Sequence, residues 1–381
     1  NIQCENCHGP QSGGTHMQTE ARTDLSSNVC ATCHGEPLRH ARFQQWQLSS
    51  HANYELAVDE SQSSTCSKCH TANGFLAWLP VLLDDEPGDS ITVTWTEDEA
   101  HPQTCATCHD PHAIGTTSGG DSNATVRISG STPELMAGFT AVGVGRGAIC
   151  MTCHNSRRGL RNDSTYDGTD TERAPHGPTQ TDILMGQNAY FVEVGVRGSH
   201  SFATDTCANC HMEQTPPPDI LAYNQGGTNH TFAARDDICA NCHGEVFDAE
   251  GVQSGVHEGL DELQGLQEEA ILDVIDDQIA LGNAIDLNGG ALVTDTADIK
   301  DLLFTETRGR QAITVTFTDN SVVGPTRLPD VDVVDGSSAV LGALYDFADD
   351  RVPKSGWNWL LVHNDGSEGV HNPSFAMQVL N

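Results

Sequence analysis

Apolar positions are unevenly distributed along the chain, and the regular patterns gather towards its C-terminal end. Leu260, Leu263, Leu266, Ala270, Ile271, Val274, Ile275 and Ile279 recur at helical spacing with acidic residues between them, and Gly282 supplies a stop. One long amphipathic helix is predicted. A second helix is expected from Ala339 to Phe347 behind Ser337 or Ser338 as cap, and a third from Pro373, with Asn372 as N-cap. Two short runs, Ile91-Thr92-Val93-Thr94-Trp95 and Ile313-Thr314-Val315-Thr316-Phe317, alternate apolar residues with threonine, the period of a half-buried strand. Val322 and Val323 follow the second run across Asp319-Asn320-Ser321, so a small β-hairpin is predicted there.

Residues 1–243 carry no comparable period. They are rich in Gly, Ser, Thr, Asn and Asp, which reads as loops joined by short helices. What recurs instead is a chemical pattern: Cys4-Cys7-His8, Cys30-Cys33-His34, Cys66-Cys69-His70, Cys105-Cys108-His109, Cys150-Cys153-His154, Cys207-Cys210-His211 and Cys239-Cys242-His243. These seven CxxCH copies use all 14 cysteines and leave none for disulfides. Their first cysteines are 26, 36, 39, 45, 57 and 32 residues apart, too irregular for a solenoid of identical repeats.

Two thiols three apart with a histidine directly after them is the attachment signature of c-type haem: the thiols form thioethers and the histidine becomes an axial iron ligand. Paired CxxC knuckles could instead build four-cysteine zinc or iron–sulfur sites, and an even cysteine count could mean disulfides. Neither needs the histidine. With 18 histidines in 381 residues, a given position is histidine about one time in 20. Seven out of seven arises by chance on the order of once in a billion. Seven covalently bound c-type haems are therefore expected, about 54 residues to each, with the porphyrins supplying much of the apolar core.

Charge narrows the partners. Fifty-three acidic against 18 basic side chains leave a formal net charge of -35, which repels nucleic acid and anionic lipid and favours solubility, cationic partners or a salty medium. No apolar run approaches membrane-spanning length. Haem of this type is attached outside the cytoplasmic membrane in prokaryotes and Cys4 almost opens the chain, so Asn1 reads as a processed N-terminus left by a cleaved signal peptide. A periplasmic or extracellular protein is expected. Asp330, Asp332 and Asp335 miss the spacing of a calcium loop and read as solvated acids.

Each iron has a second axial position. Removing the seven motif histidines from 18 leaves His16, His40, His51, His101, His112, His176, His200, His230, His257, His363 and His371; the six methionines are a poorer supply. Bis-histidine ligation, which suits electron passage more than substrate activation, is the expected solution. His112, in Cys105-Ala106-Thr107-Cys108-His109-Asp110-Pro111-His112, is too close to His109 to reach the opposite face of the same iron, so it is expected on a neighbouring haem. Arg157 and Arg158 follow a motif closely and could pair with propionates or lie as ordinary surface arginines. The tryptophans and phenylalanines are expected to pack on porphyrin faces.

The run Cys150-Met151-Thr152-Cys153-His154-Asn155-Ser156-Arg157-Arg158-Gly159, the segments Ala174-Pro175-His176-Gly177-Pro178 and Met185-Gly186-Gln187-Asn188-Ala189-Tyr190, Ser199-His200 before Cys207-Ala208-Asn209-Cys210-His211-Met212, and the tail Asp365-Gly366-Ser367-Glu368-Gly369-Val370-His371-Asn372-Pro373 resemble a family of bacterial multihaem c-type cytochromes, in the style of extracellular, nanowire-type proteins. The likeness covers most of residues 1–243 and the tail. It implies His16, His51, His112, His176, His200, His230 and His371 as distal ligands, seven for seven haems. Of the remaining histidines, His40 and His101 stand as substitutes, and His257 and His363 read as exposed or packing residues. The likeness also implies a haem-dominated, elongated fold of loops and short α-helices with few β-strands. On this reading residues 1–243 form a heptahaem core. Residues 244–381 form a haem-free, mixed α/β segment with a small hairpin, its tail returning to the core through His371.

The expected function is electron transfer through closely packed haems rather than catalysis, as an extracellular respiratory conduit polymerising head to tail into a filament. Its partners would be copies of itself, other redox proteins or extracellular acceptors. The rivals are a multihaem reductase of nitrite, hydroxylamine or sulfur oxyanions, which needs one open iron, and a monomeric periplasmic shuttle. Every motif ends in histidine, which disfavours the reductase.

Overall fold

The computed structural model describes residues 4–8, 24–36, 41–86, 91–113, 126–159, 172–215, 227–244, 248–288 and 291–381. The chain divides into two compact units, one of Asn1–Leu135, Thr140–Cys153 and Ala203–Phe247, the other of Met136–Phe139, His154–Phe202 and Asp248–Asn381. The division passes between Cys153 and His154 of the fifth motif.

The first unit is built from short helices: α1 (Cys4–His8), α2 (Asn28–His34), α3 (Arg42–Gln47), α4 (Tyr54–Ser61), α5 (Ser67–His70), α6 (Ala72–Leu83), α7 (Cys105–Cys108) and α8 (Ala148–Met151), with α10 (Cys207–His211) and α11 (Ala240–His243) further on. Two-residue strands β1 (Gln214–Thr215) and β2 (Gly227–Thr228) pair between them. Its anchor is α6, capped by Thr71 accepting from Gly74 N at 2.8 Å, with Phe75, Trp78 and Leu82 buried. Gly74 is required by the close packing of α5: a Cβ there would stand 2.2 Å from the Ser67 carbonyl oxygen. The run 91–95, expected as a strand, forms none. Ile91 is buried, Val93 is half exposed, and Trp95 N–H donates to Ser61 O at 3.2 Å. Alternation supplied a suitable surface, but no described strand pairs with it, and an isolated strand leaves its backbone groups unpaired.

The second unit has a protein core of the ordinary kind. It contains α9 (Gln180–Met185), α12 (Ala249–Ala280), α13 (Arg351–His363) and α14 (Pro373–Leu380). A three-stranded antiparallel sheet joins β5 (Ile299–Thr307), β6 (Arg310–Phe317) and β7 (Val322–Arg327) in that order. A four-stranded sheet takes the order β4-β3-β8-β9 from β3 (Ala284–Asp286), β4 (Leu292–Val293), β8 (Asp332–Val334) and β9 (Val340–Ala343). The predicted long helix is α12. Asp248 caps its start by accepting from Gly251 N at 2.9 Å, and Gly282, at φ +87°, turns the chain away just past its end. Val256, Leu260, Ile271 and Ile275 form its buried stripe, whereas Leu266 stays half exposed. The predicted hairpin is β6–β7, extended to a meander by β5; Arg308 (φ 50°) and Gly309 (φ 72°) make the two-residue turn that β5–β6 requires. Among the described residues, no helix is both long and apolar enough to cross a membrane.

Residues 339–347 are strand β9 and one 3-10 turn, Leu344–Phe347, rather than a helix. Asp335 accepts from Ser337 N at 2.7 Å and Ala339 N at 3.0 Å, which folds the chain back so that Val333 pairs with Gly342. In addition, Trp357, Trp359, Phe304 and Phe375 pack in this protein core; Trp359 donates to Leu260 O at 2.9 Å and meets the Phe304 ring edge-on at 5.6 Å. Helix α13, which carries both tryptophans, escaped the sequence reading because Pro353 and Gly356 interrupt its pattern. Pro353 lies in the first turn, where its missing N–H costs nothing. Gly356 makes room for buried Gln311, whose Oε1 would stand 2.2 Å from a Cβ.

Candidate haem sites

Each CxxCH has at least its first cysteine on or at the edge of a helical turn; in the fifth motif the helix ends at Met151, before Cys153 and His154, and in the fourth His109 follows the helix in an extended conformation. None of the 14 cysteines is in a disulfide, and none of them is fully sequestered. Thiols of different motifs meet: Cys30 hydrogen-bonds Cys105, Cys150 hydrogen-bonds Cys207, and Cys153 hydrogen-bonds Cys69. In each pair the partner thiol, then burial, pushes Cys30, Cys150 and Cys153 well above the usual thiol range. Cys105, which receives the hydrogen bond of Cys30 and lies 3.3 Å from Ser27 Oγ, falls to about 7. Burial, then the charge of Cys105, raises Cys108 to about 11. Motifs two and four, five and six, and three and five are thereby neighbours. Among the described residues no three His, Cys, Asp or Glu side chains converge as a zinc or calcium site needs.

Two pairs of imidazoles face one another across motifs. His8 and His112 lie with ring centres 6.0 Å apart and planes 12° apart; His109 and His230 lie 6.3 Å apart at 33°. Two metal–imidazole bonds of about 2 Å, with about 1.1 Å from each nitrogen to its ring centre, set two axial ligands about 6.2 Å apart. Both pairs have the centre-to-centre separation that two histidines holding one haem iron would have. Burial pushes His230 down to about 4, which keeps it in the neutral form that a metal ligand needs.

The tautomers agree with this. His211 Nδ1 lies 3.0 Å from Phe232 O, His230 Nδ1 3.0 Å from Thr228 O, and His200 Nδ1 2.7 Å from Val370 O. A carbonyl oxygen only accepts, so Nδ1 carries the proton and Nε2 keeps its lone pair. His154 makes the same contact with Gln180 Oε1 at 3.2 Å, and His371 with Asp365 Oδ1 at 2.6 Å.

His51 sits in a 3-10 turn, Ser50–Ala52, edge-on to Phe232 at 4.5 Å, and Phe232 also meets His230 at 6.0 Å. His176 is placed beside motif five by its N–H to Ser156 O at 2.9 Å. His34, His70 and His243 end α2, α5 and α11. His16 and the substitute His40 lie outside the described residues. His101 adjoins motif three through its carbonyl, which accepts from Ala72 N at 2.9 Å. His257 pairs with Glu368 at 2.9 Å, and His363 stacks on Trp359 at 4.6 Å, its pKa lowered by burial. Arg158 directs its guanidinium to Gly309 O at 2.7 Å. Asp330 pairs with Arg327, and Asp335 holds its own turn.

Three polar supports carry no sequence signature. Gln180 orients His154, Asp365 faces His371, and fully buried Asp182 accepts from Ser156 N (2.8 Å), Ser156 Oγ (2.7 Å) and Asn188 Nδ2 (2.6 Å), tying the chain just beyond His154 to α9. Only the fold brings them to their partners, 26, 6 and 26 residues away.

No family model matches the chain, and no curated protein is similar to it. Among solved structures the chain is similar to the outer cell wall cytochrome OcwA, with a TM-score of 0.52 and 16% identity over all of this chain and 68% of that one. An undecahaem cytochrome from the S-layer of Carboxydothermus ferrireducens has a TM-score of 0.46 and 16% identity over all of this chain and 49% of that one. The fold is thus one that the chain shares with a cytochrome, in keeping with the multihaem c-type cytochromes that its motifs resemble.

Proposed function

We propose that the chain is an electron carrier whose seven CxxCH motifs each hold one c-type haem through two cysteines and the motif histidine, with a second histidine on the far side. The observation that carries this reading is the facing of His8 with His112 and of His109 with His230 at the separation two axial ligands require. So bound, the haems supply one-electron iron chemistry with no open coordination position. The chain's own contribution is to hold neutral, Nδ1-anchored imidazoles and to bring motifs against one another. His109 and His112 belong to one segment yet face different partners, so this segment fastens two sites together. The meetings of Cys30 with Cys105, Cys69 with Cys153 and Cys150 with Cys207 support a continuous relay. His16, His51, His176, His200 and His371 complete the distal set.

We further propose an extracellular or cell-surface setting, in keeping with the similar fold of the outer cell wall cytochrome OcwA. The strongly acidic surface is suited to solution outside the cell and to cationic partners. Head-to-tail assembly into a filament is the form proposed for the conduit.

Mass spectrometry and haem quantitation of the matured protein test the first part, with seven haems per chain and low-spin signals from all of them expected. Fewer haems, or stoichiometric binding of carbon monoxide or nitrite, would replace the carrier with an enzyme. Electron microscopy under native conditions tests the filament; monodisperse single chains would exclude it.

A further inference from the structure

Of the five histidines whose Nδ1 partner is described above, four face neutral oxygens: Gln180 Oε1, Val370 O, Phe232 O and Thr228 O. His371 faces a carboxylate. Asp365 is 2% exposed, its Oδ1 lies 2.6 Å from His371 Nδ1, and its Oδ2 accepts from the Ser367 hydroxyl. The Asp365 carbonyl in turn accepts from Gln180 Nε2 at 2.7 Å, and Gln180 Oε1 holds His154. A neutral and an anionic acceptor are thus set side by side, orienting two histidines of one unit.

We infer that Asp365 is a positioning and tuning residue, whose buried carboxylate makes the haem held by His371 harder to reduce than an otherwise equal haem with a neutral acceptor. The inference rests on the reading of His371 as an axial ligand. A carboxylate on Nδ1–H draws the proton towards itself and leaves Nε2 a stronger donor to iron, and its negative charge favours the oxidised over the reduced metal. Burial sustains the effect, because water is not there to screen it. An electron relay with one site displaced to low potential passes electrons onward from that site readily and fills it last.

Redox titration of the haem-loaded protein, resolved by the low-spin spectra of individual haems, tests this with three variants. Asp365→Asn keeps an acceptor for Nδ1 and removes the charge. One of the midpoints is expected to rise by the equivalent of about tenfold in its equilibrium, about 59 mV for one electron, with that haem still low-spin. Ser367→Ala removes the donor that partly neutralises the carboxylate and is expected to lower the same midpoint. His371→Ala separates the two ideas: one new high-spin haem supports the ligand reading, and an unchanged set of low-spin haems ends it. Given that high-spin haem, unchanged midpoints in Asp365→Asn, or loss of the ligand in that variant, would overturn the tuning role while the ligand reading stands.

Discussion

The imidazoles of His8 and His112 lie nearly parallel, 12° apart in plane and 6.0 Å apart in centre, although 104 residues separate them along the chain. That separation is the one that two imidazoles on opposite sides of a single iron would have. Cys105, Cys108 and His109 immediately precede His112, so on the proposed reading one segment carries its own motif and a distal ligand for the first.

Replacing His112 with methionine is therefore expected to convert one haem to histidine–methionine ligation, and that haem is the one on Cys4 and Cys7. Magnetic circular dichroism reads the new ligand. In a background lacking Cys4 and Cys7 the same replacement should change no remaining haem; a change there would assign His112 elsewhere.

His230→Ala should leave one iron, on Cys105 and Cys108, with a single protein ligand, giving one equivalent of high-spin haem and one of bound carbon monoxide. His230 also supports its own loop through N–H to Gln45 Oε1 at 3.1 Å, an interaction of the backbone that the substitution retains. Two equivalents, or none, would reject the pairing of His230 with His109.

Asp182 is fully buried, and desolvation, outweighing the hydrogen bonds from Asn188 and Ser156, lifts its carboxyl from the ordinary 3.8 to about 6. Between about pH 4 and 6 the folded chain keeps a proton that the unfolded chain has released, so this group's contribution makes stability fall as pH rises and level off above about 6. The shift corresponds to about 3 kcal/mol. Denaturant titrations at several pH values should show that fall, and Asp182→Asn should flatten it; an unaltered profile would mean that Asp182 is ionised throughout.

Asn372 is 3% exposed and does three things: its Oδ1 caps α14 through Phe375 N, and its Nδ2 donates to Ile183 O at 3.2 Å and Val196 O at 3.0 Å. Asn372→Ala should cost about 2–4 kcal/mol, more than a surface cap, because two buried carbonyls lose their donor. A loss under about 1 kcal/mol in equilibrium unfolding would reduce Asn372 to an ordinary cap.

The sequence by itself determined whatever depends on residues close along the chain. The seven CxxCH turns, the stripe of α12, the β6–β7 hairpin and the Asn372 cap of α14 are all legible, because each is written within one or a few turns of backbone. Tertiary structure decided what depends on partners. Ile91–Trp95 had the period of a strand and met no strand; residues 339–347 had helical character and were drawn into β9 by the turn at Asp335 and pairing with β8. Helix α13 was hidden by Pro353 and Gly356 until its position against Gln311 explained the glycine. The histidine supply was countable from the sequence, but the facing of His8 with His112, of His109 with His230, and of His371 with buried Asp365 was not. A ligand's partner is fixed by where folding puts two distant backbones, and a carboxylate's influence by the burial that folding imposes on it; neither has a period in the sequence.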